Sequence, residues 1–131
     1  MIVLDTHVII WDALQPNRLS KPAKRAIAKA NLNDGIIFCD ISLWEIGMLI
    51  QKKQILVNTS YLEFIQLILA SNRYLVKPIS PEIAELATSF PATLSKDPAD
   101  RLIAATAVSE RAQLVTADAR LRNAPELQTI W

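Results

Sequence analysis

Short runs of apolar residues recur along the chain and predict buried β-strands. They lie at Ile2–Leu4, Ile36–Cys39, 74–76, 114–116 and, as a candidate edge strand, 128–131. In the first four runs the apolar residues follow one another instead of alternating with polar ones, which is typical of strands covered on both faces. The turn signal Asn33-Asp34-Gly35 precedes the second run. The pattern therefore favours a parallel sheet.

Helix start signals stand between these runs. Each is a Ser or Asp just before a proline or an apolar segment, where its side chain accepts hydrogen bonds from the first helical N–H groups. The signals are Ser20 before Pro22, Asp40 or Ser42 before Leu43, Ser60 with Glu63, Ser80 before Pro81 and Asp97 before Pro98. Strands and helices thus alternate, which predicts a three-layer α/β/α domain with a central parallel sheet flanked by helices. In such sheets ligands bind beyond the carboxyl ends of the strands.

One predicted helix carries more apolar surface than the others. Residues 61–69 are apolar at seven of nine positions, which exceeds what one buried helix face needs. Two interpretations remain open. The helix is either packed between neighbours inside the monomer, or its second face borders a groove or dimer interface completed by another chain.

Length and composition limit the class of protein. With 131 residues, a mass of 14.6 kDa and 51% hydrophobic residues, the chain fits a single folded domain, 1–131. No stretch approaches the roughly 18 consecutive apolar residues of a membrane span, and the N-terminus lacks the basic segment of a secretory signal. We therefore expect a cytoplasmic protein with no membrane partner.

The rare residues and the net charge restrict the chemistry further. Cys39 and His7 are each the only residue of their kind, which excludes an internal disulfide and a Cys/His zinc site. Any bound metal must therefore be held by oxygen atoms. The formal net charge is +1, so no global basic field attracts a polyanion. The best local candidate for such contact is the helical run Lys21, Lys24, Arg25 and Lys29.

Four carboxylates stand at predicted strand ends and helix starts: Asp5, Glu45, Asp100 and Asp118. Because helix starts and the carboxyl ends of parallel strands meet at the same rim of a sheet, we expect one acidic pocket. Carboxylates gathered in one pocket repel each other, so their pKa values rise or a cation neutralises them. Mg²⁺ and Mn²⁺ prefer oxygen ligands, and hydrolysis of phosphodiesters by metal-activated water is a common use of such sites.

Two other interpretations of the acids remain open. In the first, every acid caps a helix and the chain is a non-catalytic α/β interaction module: Glu45 pairs with Ser42, Asp100 with Asp97, and Asp5 and Asp118 cap the helices after them. In the second, the chain is a phosphatase or phosphotransfer domain of similar topology. The segment Asp5-Thr6-His7 fits the second poorly, because a haloacid-dehalogenase-type phosphatase needs D-x-D there and a receiver domain needs adjacent acids.

The order of four segments resembles a known family. LDTHVIIW, SLWEIGML, KDPADRLIAATA and LVTAD are similar, in order and spacing, to the four motifs of PIN-domain ribonucleases, most of all to the VapC-type toxins of type II toxin–antitoxin systems. The resemblance covers essentially the whole chain. It implies a PIN-like fold and a metal-dependent endoribonuclease that hydrolyses RNA with metal-activated water. It further implies a cognate VapB-like antitoxin and a homodimer.

Carried over residue by residue, the resemblance implies that Asp5, Glu45, Asp100 and Asp118 form the catalytic and metal-binding site for Mg²⁺ or Mn²⁺. Asp97 is a secondary candidate for the metal site, and Thr6 and Thr116 match hydroxyl positions that hold carboxylates or a metal-bound water. The Ser95-Lys96 pair departs from the His-Arg pair often found in related toxins, which affects the expected substrate contacts.

Four further side chains near the motifs have expected roles. Arg101 is a candidate to hold a scissile phosphate or a partner's carboxylate in a bidentate contact. His7 is expected to be structural or supporting, because metal-activated water needs no histidine base. Trp11 and Trp44 are expected to pack against the sheet, since tryptophan is largely buried on average.

Overall fold

The computed structural model describes every residue from Met1 to Trp131, and its centre is one five-stranded sheet. The strands are β1 (Ile2–Leu4), β2 (Ile36–Cys39), β3 (Tyr74–Lys77), β4 (Gln113–Val115) and β5 (Thr129–Ile130). All four neighbouring pairs are parallel, in the order β3-β2-β1-β4-β5. The prediction of a parallel central sheet is confirmed, and the strand bounds differ from the predicted runs by about one residue.

Seven helices connect and cover the strands. They are α1 (Thr6–Leu14), α2 (Lys21–Leu32), α3 (Ile41–Gln51), α4 (Tyr61–Ser71), α5 (Pro81–Ser89), α6 (Pro98–Ser109) and the single turn α7 (Ala119–Arg122). Ser20, Ser60, Ser80 and Asp97 cap α2, α4, α5 and α6 through side-chain oxygens that accept backbone N–H groups, as the sequence predicts. None of the helices has the length and apolar character needed to cross a membrane.

The apolar side chains divide into two cores, one on each face of the sheet. Ile2, Leu4, Ile36 and Phe38 pack with α1, α2, α3 and α4. The alternate residues Val3, Ile37 and Cys39 pack with α5, α6 and α7 on the other face. Strand side chains point alternately to opposite faces, so a strand covered on both sides is apolar throughout. This explains why the strands appear in the sequence as unbroken apolar runs.

The strand order creates a crevice at the centre of the sheet. From β1 the chain proceeds outward to β2 and β3, and it then returns to the other side of β1 to form β4 and β5. Helices that leave β1 and β4 therefore diverge to opposite faces. A sheet of this kind opens a binding crevice at the carboxyl ends of the two strands where the order reverses.

The helix over residues 61–69 has one buried and one open face. Phe64, Ile65 and Ile68 belong to the core, whereas Leu62 and Leu67 are 68% and 62% exposed. The helix is therefore not enclosed within the monomer. Trp44 on α3 is also 61% exposed, so the expectation that it packs against the sheet is wrong. Trp11 does pack against the core, where its ring centroid lies 5.8 Å from that of Trp131.

Candidate active site at the carboxyl end of the sheet

Asp5 lies at the centre of the crevice because it directly follows β1, the middle strand. Its side chain is 6% exposed. Oδ1 accepts a hydrogen bond from the Thr6 backbone N–H at 2.8 Å, and Oδ2 accepts one from the Thr116 hydroxyl at 2.7 Å. Burial raises the pKa of Asp5, although these two hydrogen bonds oppose the change. Both carboxylate oxygens are thus fixed in orientation.

Glu45 reaches the same crevice from α3. Its side chain is 8% exposed, and its Oε1 accepts a hydrogen bond from the Thr6 hydroxyl. The Thr6 oxygen also lies 2.8 Å from the Ser42 Oγ. Burial is the main cause that raises the pKa of Glu45, and the negative charge of Asp5 adds to it. Thr6 therefore positions Glu45 next to Asp5.

Asp97 and Asp100 enter the crevice from the start of α6. Oδ1 of Asp97 caps the helix by accepting the N–H of Ala99 at 2.8 Å, whereas Oδ2 of Asp100 accepts the Ser95 hydroxyl at 3.0 Å. Burial, followed by the charges of Asp5 and Asp97, raises the pKa of Asp100 from 3.8 to about 7. A substantial fraction of this carboxyl group is therefore protonated near neutral pH when no cation is bound.

Asp118 completes the group from the start of α7. Its Oδ1 accepts the N–H of Arg120 at 2.8 Å, and its own N–H donates to the Thr116 hydroxyl at 3.1 Å. Thr116 thereby connects Asp118 to Asp5. The charge of Asp118 contributes to the raised pKa of both Asp5 and Asp100, after larger contributions from burial. The structure thus brings all four sequence-predicted acids to one rim of the sheet.

Helix capping explains some of these acids but not all. Asp5, Asp97 and Asp118 accept backbone N–H groups at the starts of α1, α6 and α7. The expected pairing of Ser42 with Glu45 does not form, because Ser42 contacts Thr6 and α3 has no side-chain cap. Asp100 likewise bonds to Ser95 instead of closing a capping box. Glu45 and Asp100 therefore have no capping role.

No lysine, arginine or histidine side chain forms an ion pair with the acidic group. The one ion pair in the chain joins Lys77 to Glu110 at 3.1 Å. The donor set of carboxylate and hydroxyl oxygens suits a hard divalent cation such as Mg²⁺. The side chains are not gathered into a coordination shell, since no three Asp, Glu, His or Cys side chains converge on one point. The chemistry of the donors fits a metal, and cation binding would draw the carboxylates together.

Two further side chains near the site make contacts that the sequence does not indicate. The Arg101 guanidinium donates to the backbone carbonyls of Ala87, Phe90, Pro91 and Ser95. It holds the connection between α5 and α6, and its contact with a phosphate or a partner's carboxylate stays a prediction. Ser95 is buried, and its hydroxyl donates a hydrogen bond to Asp100. A serine five residues before an acid gives no local signal of this role.

The fold and the crevice define a class, that of α/β/α domains with an acidic, oxygen-only site where the strand order of a parallel sheet reverses. Within this class the chain belongs to the PIN-domain family, whose model matches residues 2–127. It is 36% identical to Ribonuclease VapC22 of Mycobacterium tuberculosis over 99% of this chain and 98% of that protein.

Solved structures share the same fold. A VapBC2 complex from Rickettsia felis bound to a DNA fragment from its promoter matches with a TM-score of 0.74 and 19% identity, covering 98% of this chain and 97% of the matched chain. A toxin–antitoxin complex from Klebsiella pneumoniae matches with a TM-score of 0.64 and 21% identity, covering 97% and 95% of the two chains.

Proposed function

We propose that this protein is a metal-dependent endoribonuclease that acts as the toxin of a toxin–antitoxin pair. The observation that carries this proposal is the pair Glu45 and Asp100. Glu45 is buried and Asp100 is half-buried next to Asp5, both have raised pKa values, and neither caps a helix or forms an ion pair. Burying uncompensated acids lowers stability, so we infer that they are kept for catalysis. The similarity to a ribonuclease over nearly the whole chain supports the same function.

The residues at this site have two roles, holding the metal ions and orienting the carboxylates. Asp5, Glu45, Asp100 and Asp118 would hold one or two Mg²⁺ or Mn²⁺ ions, with Asp97 as a further candidate. A bound ion supplies activation of water and neutralisation of charge at the phosphorus. Thr116 fixes Oδ2 of Asp5, and Thr6 fixes Oε1 of Glu45, so both carboxylates are oriented before any ligand arrives. Asp100, whose pKa lies near 7, would hold a cation in its ionised form, so a cation and the proton would compete for this carboxyl group.

The two alternative functions fit these contacts less well. An interaction module whose acids are all caps leaves the burial of Glu45 and Asp100 without a purpose. A phosphatase of the haloacid-dehalogenase type needs a second acid at position 7, which is an exposed histidine here. We further propose that residues 1–131 act as one catalytic domain, since both cores pack on the same sheet.

Cleavage of RNA by purified protein tests the proposal. Wild-type protein should cut single-stranded RNA in Mg²⁺ or Mn²⁺ and not in EDTA. Asp5→Ala and Asp118→Ala should abolish cleavage with an unchanged far-ultraviolet circular dichroism spectrum, whereas His7→Ala should retain measurable activity. Asp34→Asn, an exposed acid in the turn before β2, is the matched control and should cleave like wild type. Cleavage that survives Asp5→Ala would refute this active site.

We propose a homodimer and a VapB-like antitoxin as the protein partners. Trp44, Leu62 and Leu67 leave apolar surface open on α3 and α4, and such surface on a small domain is typical of an interface. An antitoxin segment bordered by these helices would place a basic side chain near Asp5 and Asp118, neither of which has an ion-pair partner. The names of the similar toxin–antitoxin complexes support the same pairing.

The partner proposal predicts a mass and a sensitive residue. Sedimentation equilibrium should give twice the 14.6 kDa of one chain. Leu62→Asp should weaken dimerisation or antitoxin binding without a loss of helix content. Leu32→Asp on α2, where the side chain is 83% exposed, is the matched control and should change neither. A monomer at micromolar concentration would refute the dimer.

A further inference from the structure

A second cavity opens beside the acidic crevice and is not used by the chemistry above. It is a groove of about 780 Å³ between α1 and the segment that follows α3. It begins at His7, two residues after Asp5, and continues along α1 past Trp11 to Leu14. These residues lie along about 10 Å of helix axis. The groove therefore leads directly away from the predicted site of cleavage.

Flat groups and one cation line the part of the groove near the acids. The His7 and Trp11 ring centroids lie 6.0 Å apart, one helical turn from each other. The Arg18 guanidinium carbon lies 4.3 Å from the Trp11 ring centroid, above its face. Arg18 and His7 are both exposed. The guanidinium thus presents a planar, positively charged surface held in place by a tryptophan.

The charge of this groove is opposite to that of the neighbouring crevice. No carboxylate lines it, and Arg18 has no acidic partner, its one side-chain hydrogen bond being a contact of 3.4 Å with Gln15. The amides of Gln15 and Gln54 add hydrogen-bonding groups to an otherwise apolar lining. Arginine planes, aromatic rings and amides are the groups that recognise unpaired RNA bases by stacking and by edge contacts.

We propose that this groove binds one unstacked base of the RNA substrate, next to the phosphodiester that is cut. In this arrangement the base stacks on the Arg18 guanidinium, which Trp11 supports, while Gln15 and Gln54 contact its edge. His7 forms the wall between the base and the acids. The inference rests on the proposed ribonuclease function and adds a position that determines which nucleotides are accepted.

Binding of single nucleotides tests the groove without requiring cleavage. The four ribonucleoside 5′-monophosphates, titrated at millimolar concentration in EDTA into ¹⁵N-labelled protein, should shift the indole N–H resonance of Trp11. Arg18→Lys keeps the positive charge and removes the planar guanidinium group on which the base stacks. It should therefore weaken nucleotide binding by about tenfold, within the range expected for loss of one stacked base. Arg25→Lys on α2 is the matched control and should bind like wild type. No shift of the Trp11 resonance, or an equal shift with ribose 5-phosphate, would overturn the proposal.

Cleavage of RNA that contains one abasic nucleotide provides the second test. Moving the abasic nucleotide through the positions around the cut should lower kcat/KM by about tenfold or more at one position in wild type. This penalty should vanish in Arg18→Lys. If wild type cleaves no RNA, the ribonuclease proposal fails and the nucleotide titration alone decides the groove. If Arg18→Lys weakens antitoxin binding and not nucleotide binding, the groove is a protein-docking site and the proposal is wrong.

Discussion

The raised pKa of Asp100 makes a quantitative prediction about stability. When this carboxyl group ionises in the metal-free protein, its charge is placed in a partly buried position beside Asp5 and Asp97. Asp100→Asn removes the charge and keeps an oxygen that accepts the hydrogen bond from Ser95. We therefore expect the variant to be more stable than wild type at neutral and alkaline pH in EDTA.

The magnitude follows from the change in proton affinity. A carboxyl group with its pKa at about 7 instead of 3.8 costs the folded state about 4 kcal/mol once it is fully ionised. Because Asp100 is only half-buried, solvent screening reduces this to about 2 kcal/mol. For 131 residues the entropy of unfolding is about 280 cal/mol/K. The melting temperature of Asp100→Asn should therefore rise by about 7 °C at pH 8.5.

The direction of the pH dependence is fixed by the sign of this change. The folded state binds the proton of Asp100 more tightly than the unfolded state does. The contribution of this proton to the stability of the wild type is therefore complete below the unfolded pKa of 3.8, and it is lost as the pH rises through about 7. The advantage of Asp100→Asn should shrink to about 0.5 kcal/mol at pH 4.5. Urea unfolding followed by circular dichroism at the two pH values measures both differences.

The control is Asp34→Asn, which removes an exposed carboxylate at the opposite end of the sheet. Its effect should stay within about 0.5 kcal/mol at either pH. If Asp100→Asn changed stability equally at pH 4.5 and pH 8.5, the charge of Asp100 would not be the cause. A loss of stability at pH 8.5 would show that the native contacts of Asp100 outweigh repulsion among the acids.

Three further predictions concern metal binding, the hydrogen bonds of Arg101 and the backbone at Gly35. Mg²⁺ or Mn²⁺ should raise the melting temperature of wild type, because cation binding stabilises only the folded state. The rise should be smaller in the double variant Asp5→Asn, Asp100→Asn. An equal rise in wild type and double variant would exclude the site. Arg101→Ala should lower the free energy of unfolding, measured in urea, by about 2–4 kcal/mol, because it leaves several backbone carbonyls without hydrogen-bond donors. Arg101→Lys should not retain wild-type stability, since lysine cannot reach these carbonyls with a planar set of donors. Gly35→Ala should lower the free energy of unfolding by more than about 1 kcal/mol, because φ of Gly35 is +85° and a β-carbon there would lie 2.7 Å from the Arg73 carbonyl oxygen. Unchanged stability would contradict this backbone conformation.

Local patterns in the sequence were enough to predict the elements of the fold. The apolar runs at Ile2–Leu4 and Ile36–Cys39 became strands with the expected bounds. Capping residues such as Ser60 and Asp97 marked the starts of their helices. These signals are local because strand propensity, turn geometry and capping depend on residues only a few positions apart. The position of Asp5 at a strand end likewise followed from its neighbours in the chain.

Tertiary structure decided which side chains meet. The hydrogen bond from Thr116 to Asp5 joins residues 111 positions apart, and that from Thr6 to Glu45 joins residues 39 apart. Neither contact has a local signature, because the first depends on β1 lying beside β4 and the second on how α3 packs against α1. The exposure of Trp44 and the hydrogen bonds of Arg101 to the loop between α5 and α6 likewise have no local signature. A sequence specifies that a side chain is large or charged, whereas the packing of distant segments determines whether it faces solvent, core or site.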